Sequence, residues 1–283
     1  LKEAGAIALS DDGRPVANTR RLLEALEQAP GLGLVVTAHC EDLYLAAGGL
    51  MHEGEVSRKL GVPGIPAAAE DCGTAREIAA AASLGAPIHI CHVSTKGSVE
   101  LIRDAKARGV RVTAETCPHY LLLTDQALES QDADYRMNPP LRTEEDRLAL
   151  IEGLLDGTLD AIATDHAPHS PEEKADFFKA PNGSIGMETS LAATLTALQG
   201  KLSLSEILEK MSVNPARILG IPGGTLREGT NADVVLFDPE KEWVVDPEKL
   251  HGKSKNTPFK GRKLKGKVVL TIFRGRVVYD ARC

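Results

Sequence analysis

The segment that decides the fold of this 283-residue chain is Pro87–Ala107, which reads PIHICHVSTKGSVELIRDAKA. Its first five residues form a short, isoleucine-rich run that is typical of a buried strand. A polar cluster follows, and then a helical pattern in which Val99, Ile102 and Ala105 recur at three-residue steps, with Gly109 as the stop signal. A strand, a polar cluster and a helix in this order make one βα unit of an α/β protein.

The same alternation extends outward from this segment over about the first 210 residues. Strands are expected at Ala6–Leu9, Leu34–Ala38, Pro87–Cys91, Val110–Glu115 and Asp160–Thr164. Helices are expected at Thr19–Gln28, Cys72–Leu84, Lys96–Ala107 and Thr143–Leu155. Crossover helices between successive strands predict a parallel sheet.

Two architectures fit this pattern, an eight-stranded (β/α)8 barrel of TIM type and an open doubly wound sheet. Four of the five strands run directly into a polar cluster, and barrel enzymes carry their catalytic side chains at those carboxyl ends. A doubly wound sheet should show a glycine-rich phosphate loop, yet neither GxGxxG nor GxxxxGK[ST] occurs in the sequence. We therefore expect the barrel.

The last part of the chain has a different character. Helices are expected at Glu188–Gln199 and Leu204–Met211, and then strands at Asp233–Asp238 and Lys267–Tyr279, with Arg274-Gly275 as a hairpin turn. The predicted domains are a barrel over residues 1–212, incomplete at its amino end, and a segment contributing to a small β domain over residues 213–283.

The barrel is expected to be incomplete at its amino end. The chain starts at Leu1, without Met, and five βα units cannot close an eight-stranded barrel, which typically takes about 250 residues. Only the later units of such a barrel are expected here, and the chain by itself is expected to be inactive.

Composition narrows the class of protein. The formal net charge of −7 disfavours a nucleic-acid partner, and no apolar run long enough to span a membrane is present. The five cysteines are odd in number and have no CxxC spacing, which indicates a reduced, cytoplasmic protein.

The most informative polar residues follow the predicted strands. Asp12, His39, His92 and Asp165 each come after one of them, so these side chains should meet at one mouth of the barrel. Imidazole nitrogens and carboxylate oxygens suit Zn²⁺ or a similar divalent ion. Any one of the four could instead be a polar residue that caps a strand. His89 alternates away from His92 and is expected to face the helices.

Asp165 lies in the segment Ala163–His169, which reads ATDHAPH. A divalent ion lowers the pKa of a bound water toward about 7, which makes hydroxide available at neutral pH. The carboxylate of Asp165 could accept a proton from this bound water and pass it to a leaving nitrogen. The alternative is that Asp165 merely caps a loop before Pro168.

Several motifs together resemble the long bacterial dihydroorotases within the metal-dependent amidohydrolase superfamily. The likeness covers essentially the whole chain. The matching segments are SDDG (Ser10–Gly13), AHCED (Ala38–Asp42), HVSTKGSV (His92–Val99), TAETCPHYL (Thr113–Leu121), MNPPLR (Met137–Arg142), IATDHAPH (Ile162–His169) and NTPF (Asn256–Phe259).

The resemblance implies roles for individual positions. His39 and His92 match two zinc-binding histidines, and Asp165 matches the metal-bound catalytic aspartate. Asp12 matches a metal-bridging carboxylate, where related hydantoinases and allantoinases place a carboxylated lysine.

The resemblance also implies the substrate contacts. Asn138 and His169 match residues that hold the substrate ring and its carboxylate, and Asn182 and Gly183 match a loop pair that contacts substrate largely through backbone. The family's first metal motif, two histidines around one residue followed by an arginine, is absent from this chain.

The implied reaction is the reversible hydrolysis of dihydroorotate to N-carbamoyl-L-aspartate in pyrimidine synthesis, with one or two Zn²⁺ ions per complete subunit. A homo-oligomer is expected, with aspartate transcarbamoylase as a possible partner. The alternatives are a hydantoinase- or allantoinase-type hydrolase and a non-catalytic dihydroorotase-like scaffold subunit of an aspartate transcarbamoylase complex.

Overall fold

Short strands alternate with helices through most of the computed structural model, which describes residues 1–282. The strands are β1 (Ala8–Ser10), β2 (Val35–Ala38), β3 (Met51–His52), β4 (Gly64–Ile65), β5 (Ile88–Ile90), β6 (Val112–Thr116), β7 (Ala161–Ile162), β8 (Val234–Val244), β9 (Lys263–Phe273) and β10 (Arg276–Asp280). The α-helices are α1 (Thr19–Gln28), α2 (Leu43–Ala46), α3 (Glu55–Leu60), α4 (Ala67–Leu84), α5 (Lys96–Ala107), α6 (Pro118–Leu122), α7 (Glu144–Leu155), α8 (Ser190–Ala197), α9 (Leu204–Leu208) and α10 (Asn214–Leu219).

The central sheet is parallel throughout. Its strand order is β1-β2-β5-β6-β7, and each neighbouring pair runs in the same direction. These are the five strands that the sequence predicts, with bounds within two residues of the expected ones. The α/β class and the parallel sheet are thus confirmed. Over residues 1–282 the sheet stays open, with β1 and β7 at its edges.

Most predicted helices are confirmed, and the differences have local causes. Helix α5 has the expected bounds, and the side chains of Val99, Ile102 and Ala105 are fully buried on one face. Helix α4 begins at Ala67, five residues before the predicted start, because the alanine-rich turn after Pro66 is itself a good helix former.

Two features of the fold differ from the sequence prediction. The predicted helix Leu204–Met211 is split, since α9 ends at Leu208 and a π-helical turn, Glu209–Val213, connects it to α10. That turn contains Lys210, whose Nζ donates to the carbonyl of Leu159 at 3.0 Å. The short parallel pair of β3 and β4 was not predicted, because two-residue strands carry no periodic signal.

The chain ends in an antiparallel sheet of order β10-β9-β8. Arg274 and Gly275 both have positive φ, 49° and 76°, and Phe273 pairs with Arg276 across them. This is the two-residue hairpin turn expected at this position. The sheet packs on α8, where the backbone N–H of Lys265 donates to Thr196 Oγ1 at 2.9 Å. The boundary at residue 212 stays a prediction.

No helix in the described part of the chain is a candidate membrane span. Within residues 1–282, none is both long enough and apolar enough to cross a bilayer.

Candidate metal centre

Three of the predicted metal-binding side chains follow neighbouring strands. Asp12 comes after β1, His39 comes directly after β2, and His92 comes after β5, so the order β1-β2-β5 places them side by side. Both imidazoles are buried, while the Asp12 side chain is 62% exposed. The site therefore has a buried wall of two nitrogen ligands and a carboxylate on its open side.

The ligand atoms of these three residues form a small triangle. His39 Nδ1 lies 2.9 Å from His92 Nε2, and Asp12 Oδ1 lies 3.3 Å from His92 Nε2 and 3.8 Å from His39 Nδ1. Two ligands of a tetrahedral zinc ion, each about 2.1 Å from the metal, are about 3.4 Å apart. The spacing and chemistry of this donor set therefore fit one divalent ion.

The carboxylates around the triangle stabilise a positive charge within it. Burial lowers the pKa of His92, but the hydrogen bond to Asp12 and the charges of Asp165 and Asp12 outweigh it and raise that pKa to about 9. The same hydrogen bond lowers the pKa of Asp12.

Asp165 lies beyond β7 and belongs to the same electrostatic centre. Burial raises the pKa of its carboxyl group, which the charge of His92 lowers and that of Asp12 raises. Its carboxylate lies within 4.8 Å of Cys117 Sγ and a ring nitrogen of His119, both of them buried.

Two of the four candidate ligands have strained backbone conformations. His92 has φ of 35° and Asp165 has φ of 46°, a region that residues other than glycine rarely adopt. Such strain concentrates at functional sites, where the surrounding contacts hold it in place.

His39 is oriented by two acidic residues that the sequence analysis did not single out. Asp11 Oδ1 accepts a hydrogen bond from the backbone N–H of His39 at 2.9 Å. Glu41 Oε2 lies 3.5 Å from His39 Nε2, on the side of the ring opposite the triangle. A carboxylate there keeps the proton on Nε2 and leaves Nδ1 free to bind a metal. Asp11 lies in the motif SDDG and Glu41 in the motif AHCED. These motifs were the sequence signal that could have identified the two residues.

Asn138 also lies beside His39. Its Nδ2 donates to Glu41 Oε1 at 3.1 Å and is 3.4 Å from His39 Nε2, and its Oδ1 is buried without a hydrogen-bond partner. Glu41 therefore contacts both a predicted metal ligand and a predicted substrate residue. A buried acceptor without a partner is available to a ligand N–H.

The remaining substrate candidates form a second group on the segment after β7. His169 Nε2 lies 2.9 Å from the carbonyl oxygen of Asn182. Gly183 has φ of 128°, and a Cβ at this position would lie 2.5 Å from the Cβ of Ala167. Only glycine fits this close approach. The structure thus joins His169, Asn182 and Gly183 by direct contacts.

A scan against protein-family models matches residues 1–278 to the model described as "Amidohydrolase family". The chain belongs to the amidohydrolase family.

Curated relatives of this amidohydrolase chain include proteins named dihydroorotase. That of Syntrophus aciditrophicus (strain SB) is 56% identical over 99% of this chain and 66% of the relative. That of Geobacter sp. (strain M21) is 53% identical over 99% of this chain and 67% of the relative. The resemblance inferred from the motifs is confirmed.

Solved amidohydrolase structures of hydantoinases share the fold. A structure described as D-hydantoinase superposes with a TM-score of 0.85 at 31% identity, covering 99% of this chain and 65% of its own. L-Hydantoinase (dihydropyrimidinase) from Arthrobacter aurescens gives a TM-score of 0.86 at 30% identity, with coverage of 98% and 66%. The predicted TIM-barrel type is confirmed. The chain spans about two thirds of the length of these relatives.

The loop of residues 170–186 in this amidohydrolase chain contains two of the predicted substrate residues and is held by buried groups that sequence reasoning missed. Lys174 Nζ donates to the carbonyls of Ala133 and Pro181, both at 2.9 Å, and of Arg136 at 3.3 Å. Arg136 Nη2 donates to Asn182 Oδ1 at 3.1 Å. These anchors had no sequence signal, because Lys174 lies in the charged run Glu172-Glu173-Lys174, a pattern that usually indicates exposed surface.

Asn256, in the NTPF motif, connects the two sides of the loop. Its Nδ2 donates to the carbonyls of Ala167 and Gly183, at 3.2 and 3.1 Å, and its Oδ1 accepts from the backbone N–H of His169 at 3.2 Å. It therefore fixes two predicted substrate residues in one frame.

The prediction that His89 faces the helices is wrong. Its Nδ1 lies 2.9 Å from Thr113 Oγ1 and its Nε2 lies 3.2 Å from Glu115 Oε2, both on the neighbouring strand β6. The charge of Glu115 acts on Asp165, so this polar group lies on the face of the sheet that carries the metal centre. In β5 it is Ile88 and Ile90 that point to the opposite face, because side chains alternate along a strand.

Proposed function

We propose that this chain carries the metal centre of a dihydroorotase, which hydrolyses dihydroorotate reversibly to N-carbamoyl-L-aspartate. The observation that carries the proposal is the triangle of Asp12, His39 and His92, whose charges act on Asp165, in a chain with relatives named dihydroorotase at 56% and 53% identity.

The proposed ligands are Asp12, His39 and His92 for one zinc ion, with Asp165 contributing to the same centre. Zinc suits this mixture of imidazole and carboxylate ligands. When bound, the ion supplies a Lewis acid that polarises a carbonyl and lowers the pKa of water toward about 7.

Asp165 is the proposed general base and acid. It accepts a proton from the attacking water and delivers it to the ring nitrogen as the C–N bond of the cyclic amide breaks. Its raised pKa supports this role, because a carboxylate with a higher pKa is a stronger base toward the attacking water.

The substrate ring and its carboxylate are assigned to Asn138, His169, Asn182 and Gly183. Asn138 offers a buried carbonyl oxygen without a partner, beside His39. His169, together with the backbone of Asn182 and Gly183, is held rigidly by Asn256 and Arg136. Rigid placement of these groups would reduce the entropy cost of orienting the substrate.

A hydantoinase-type activity is the second candidate, because solved structures that match this chain include hydantoinases. Asp12 speaks against it, since those enzymes are expected to place a carboxylated lysine at this position. We further propose a cytoplasmic protein that works as a homo-oligomer, with aspartate transcarbamoylase as its candidate partner.

The test is to assay the full-length protein that contains this chain with dihydroorotate, hydantoin and allantoin, before and after chelation and zinc restoration. Zinc-dependent turnover of dihydroorotate alone supports the proposal. Turnover of hydantoin alone would replace it with the second candidate. A protein that binds zinc or aspartate transcarbamoylase but turns over none of the three would be a scaffold.

A further inference from the structure

The amino-terminal half of helix α4 contacts the segments that follow both candidate histidine ligands. We infer that this part of α4 sets the separation of His39 and His92, and that Glu70 is its principal positioning residue. The inference rests on the proposed metal-binding role of the two histidines.

Glu70 holds the turn after His92. Its side chain is buried, and Oε1 accepts hydrogen bonds from the backbone N–H groups of Ser94 at 2.8 Å and Thr95 at 3.1 Å and from Thr95 Oγ1 at 3.2 Å. The hydroxyl of Ser94 donates to its other oxygen. A carboxylate can accept all of these bonds at once because it has two acceptor oxygens and no donor.

Arg142 provides the compensating charge. It is buried, its Nη2 lies 3.6 Å from Glu70 Oε2, and its Nε donates to Ser94 Oγ at 3.1 Å. Its Nη1 donates to the carbonyl of Ile65 at 2.9 Å. Glu70 and Arg142 therefore form a buried pair whose remaining polar atoms are used to hold Ser94 and the strand β4.

Two further contacts strengthen the connection to the His92 side. Asp71 Oδ1 accepts from Thr95 Oγ1 at 2.6 Å and from Ser98 Oγ at 3.0 Å. Gly97 allows this approach, because a Cβ there would lie 2.4 Å from Asp71 Oδ2. The turn after His92 is thus bonded to two successive residues of α4.

A neighbouring face of the helix contacts the segment after His39. A Cβ at Gly73 would lie 2.5 Å from the backbone nitrogen of Glu41 and 2.7 Å from the carbonyl carbon of Cys40, so α4 packs directly on that backbone. The backbone N–H of Asp42 donates to the carbonyl of Ala69 at 2.7 Å. Both ligand segments therefore rest on the same two helical turns.

The strained backbone conformation of His92 depends on these contacts. Its φ of 35° is maintained only if the residues after it are fixed, and Glu70 fixes the second and third of them. Glu70→Gln keeps the volume but offers one acceptor and one NH2 group, which meets donors at Ser94 and Thr95. We expect His92 to leave the position in which its Nε2 lies 2.9 Å from His39 Nδ1.

The experiment measures zinc affinity by competition with a chromophoric chelator, and the visible spectrum of the Co²⁺-loaded protein. E70Q should bind zinc about 10- to 100-fold more weakly and show shifted Co²⁺ bands, as expected when a group that orients a ligand is lost. Thermal unfolding with excess chelator reports stability separately.

Two variants serve as controls. E100Q makes the same change on α5, where the Glu100 side chain is 59% exposed, and should bind zinc like the unmodified protein. I102V shortens a fully buried residue of α5 and should lower the unfolding temperature while leaving zinc affinity unchanged.

Zinc affinity of E70Q equal to that of the unmodified protein would overturn the inference. If E70Q does not fold, the zinc affinity of S94A is measured instead. This variant removes only the hydroxyl group that bonds to both Glu70 and Arg142. A smaller loss of affinity in S94A supports the inference, and no loss overturns it. If the unmodified protein itself binds no zinc, the proposed metal centre fails instead.

Discussion

Asp165 is the residue on which the proposed chemistry depends most. In the full-length protein, Asp165→Asn preserves size but removes the group that accepts and returns a proton, so we expect turnover of dihydroorotate to fall by at least about a hundredfold. The fold and most of the bound zinc should remain, as measured by circular dichroism and elemental analysis. D104N, an exposed change on α5, is the matched control, and near-normal turnover in D165N would exclude Asp165 as the general base.

Replacing Glu41 should affect both the binding of zinc and the KM for dihydroorotate. Its two oxygens serve His39 Nε2 and Asn138 Nδ2, and a glutamine has only one oxygen to offer them. Glu41→Gln should weaken zinc binding about 10-fold and raise KM for dihydroorotate. The control is E24Q on α1, whose carboxylate pairs only with exposed arginines. An unchanged KM together with unchanged zinc affinity in E41Q would contradict the assigned role.

Individual residues were predictable where strand order alone brings them together. The proximity of Asp12, His39 and His92 follows from three neighbouring parallel strands whose carboxyl ends share one edge. Glu70 and Arg136 were not predictable, because each acts through hydrogen bonds to residues distant in sequence, and no periodic pattern specifies such a partner. The ligand and substrate roles themselves stay predictions.

Among the structural elements, the loop 170–186 offers a test by pH. Burial lowers the pKa of Lys174 to about 8, although the charge of Asp134 raises it, whereas an unfolded lysine titrates near 10.5. Between these values the unfolded chain binds more protons than the folded one, so this lysine makes stability rise with pH. Below about pH 8 the lysine is protonated in both states, and the cost of burying its charge is fully present.

Lys174→Met should therefore remove a rise in unfolding free energy between about pH 8 and 10.5, measured as the difference between the two proteins in urea. It should also raise KM, because Lys174 fixes the carbonyls of Arg136 and Pro181 beside Asn182. K179M is the control, since that side chain is 85% exposed. Parallel pH profiles for K174M and the unmodified protein would contradict this account.

Helices and strands that are long and have a clear hydrophobic periodicity could be predicted from the sequence, whereas short or irregular ones could not. Helices α1 and α5 have the expected bounds because their apolar faces and caps are both visible in sequence. The π-helical turn at Glu209–Val213 was not visible, because a register change inside a helix leaves the composition unaltered. The early start of α4 matters most, since the missed turn contains Glu70 and Asp71.

At the scale of the whole molecule, the described residues hold one metal-ligand set that contains no thiol. The two other clusters able to hold an ion, His89–Cys91–Glu115 and Cys117–His119–Asp165, each include a cysteine. Burial raises the pKa of both thiols, which disfavours the thiolate that zinc requires. Zinc should therefore occupy the triangle of Asp12, His39 and His92 before either of these clusters.

The 283-residue chain expressed alone should consequently bind at most about one zinc ion and show no dihydroorotase activity. Asp165 and a share of Asp12 are too few ligands for a second tetrahedral site. Its sheet also has edges at β1 and β7, and unpaired strand edges promote association between chains, so aggregation is expected. Elemental analysis and a carbamoyl-aspartate cyclisation assay measure the two outcomes, with a C91S/C117S double variant to show whether thiols contribute zinc binding. A soluble, active chain with two zinc ions that survive the double substitution would show that the metal centre lies elsewhere, or that it needs no ligands beyond those in residues 1–283.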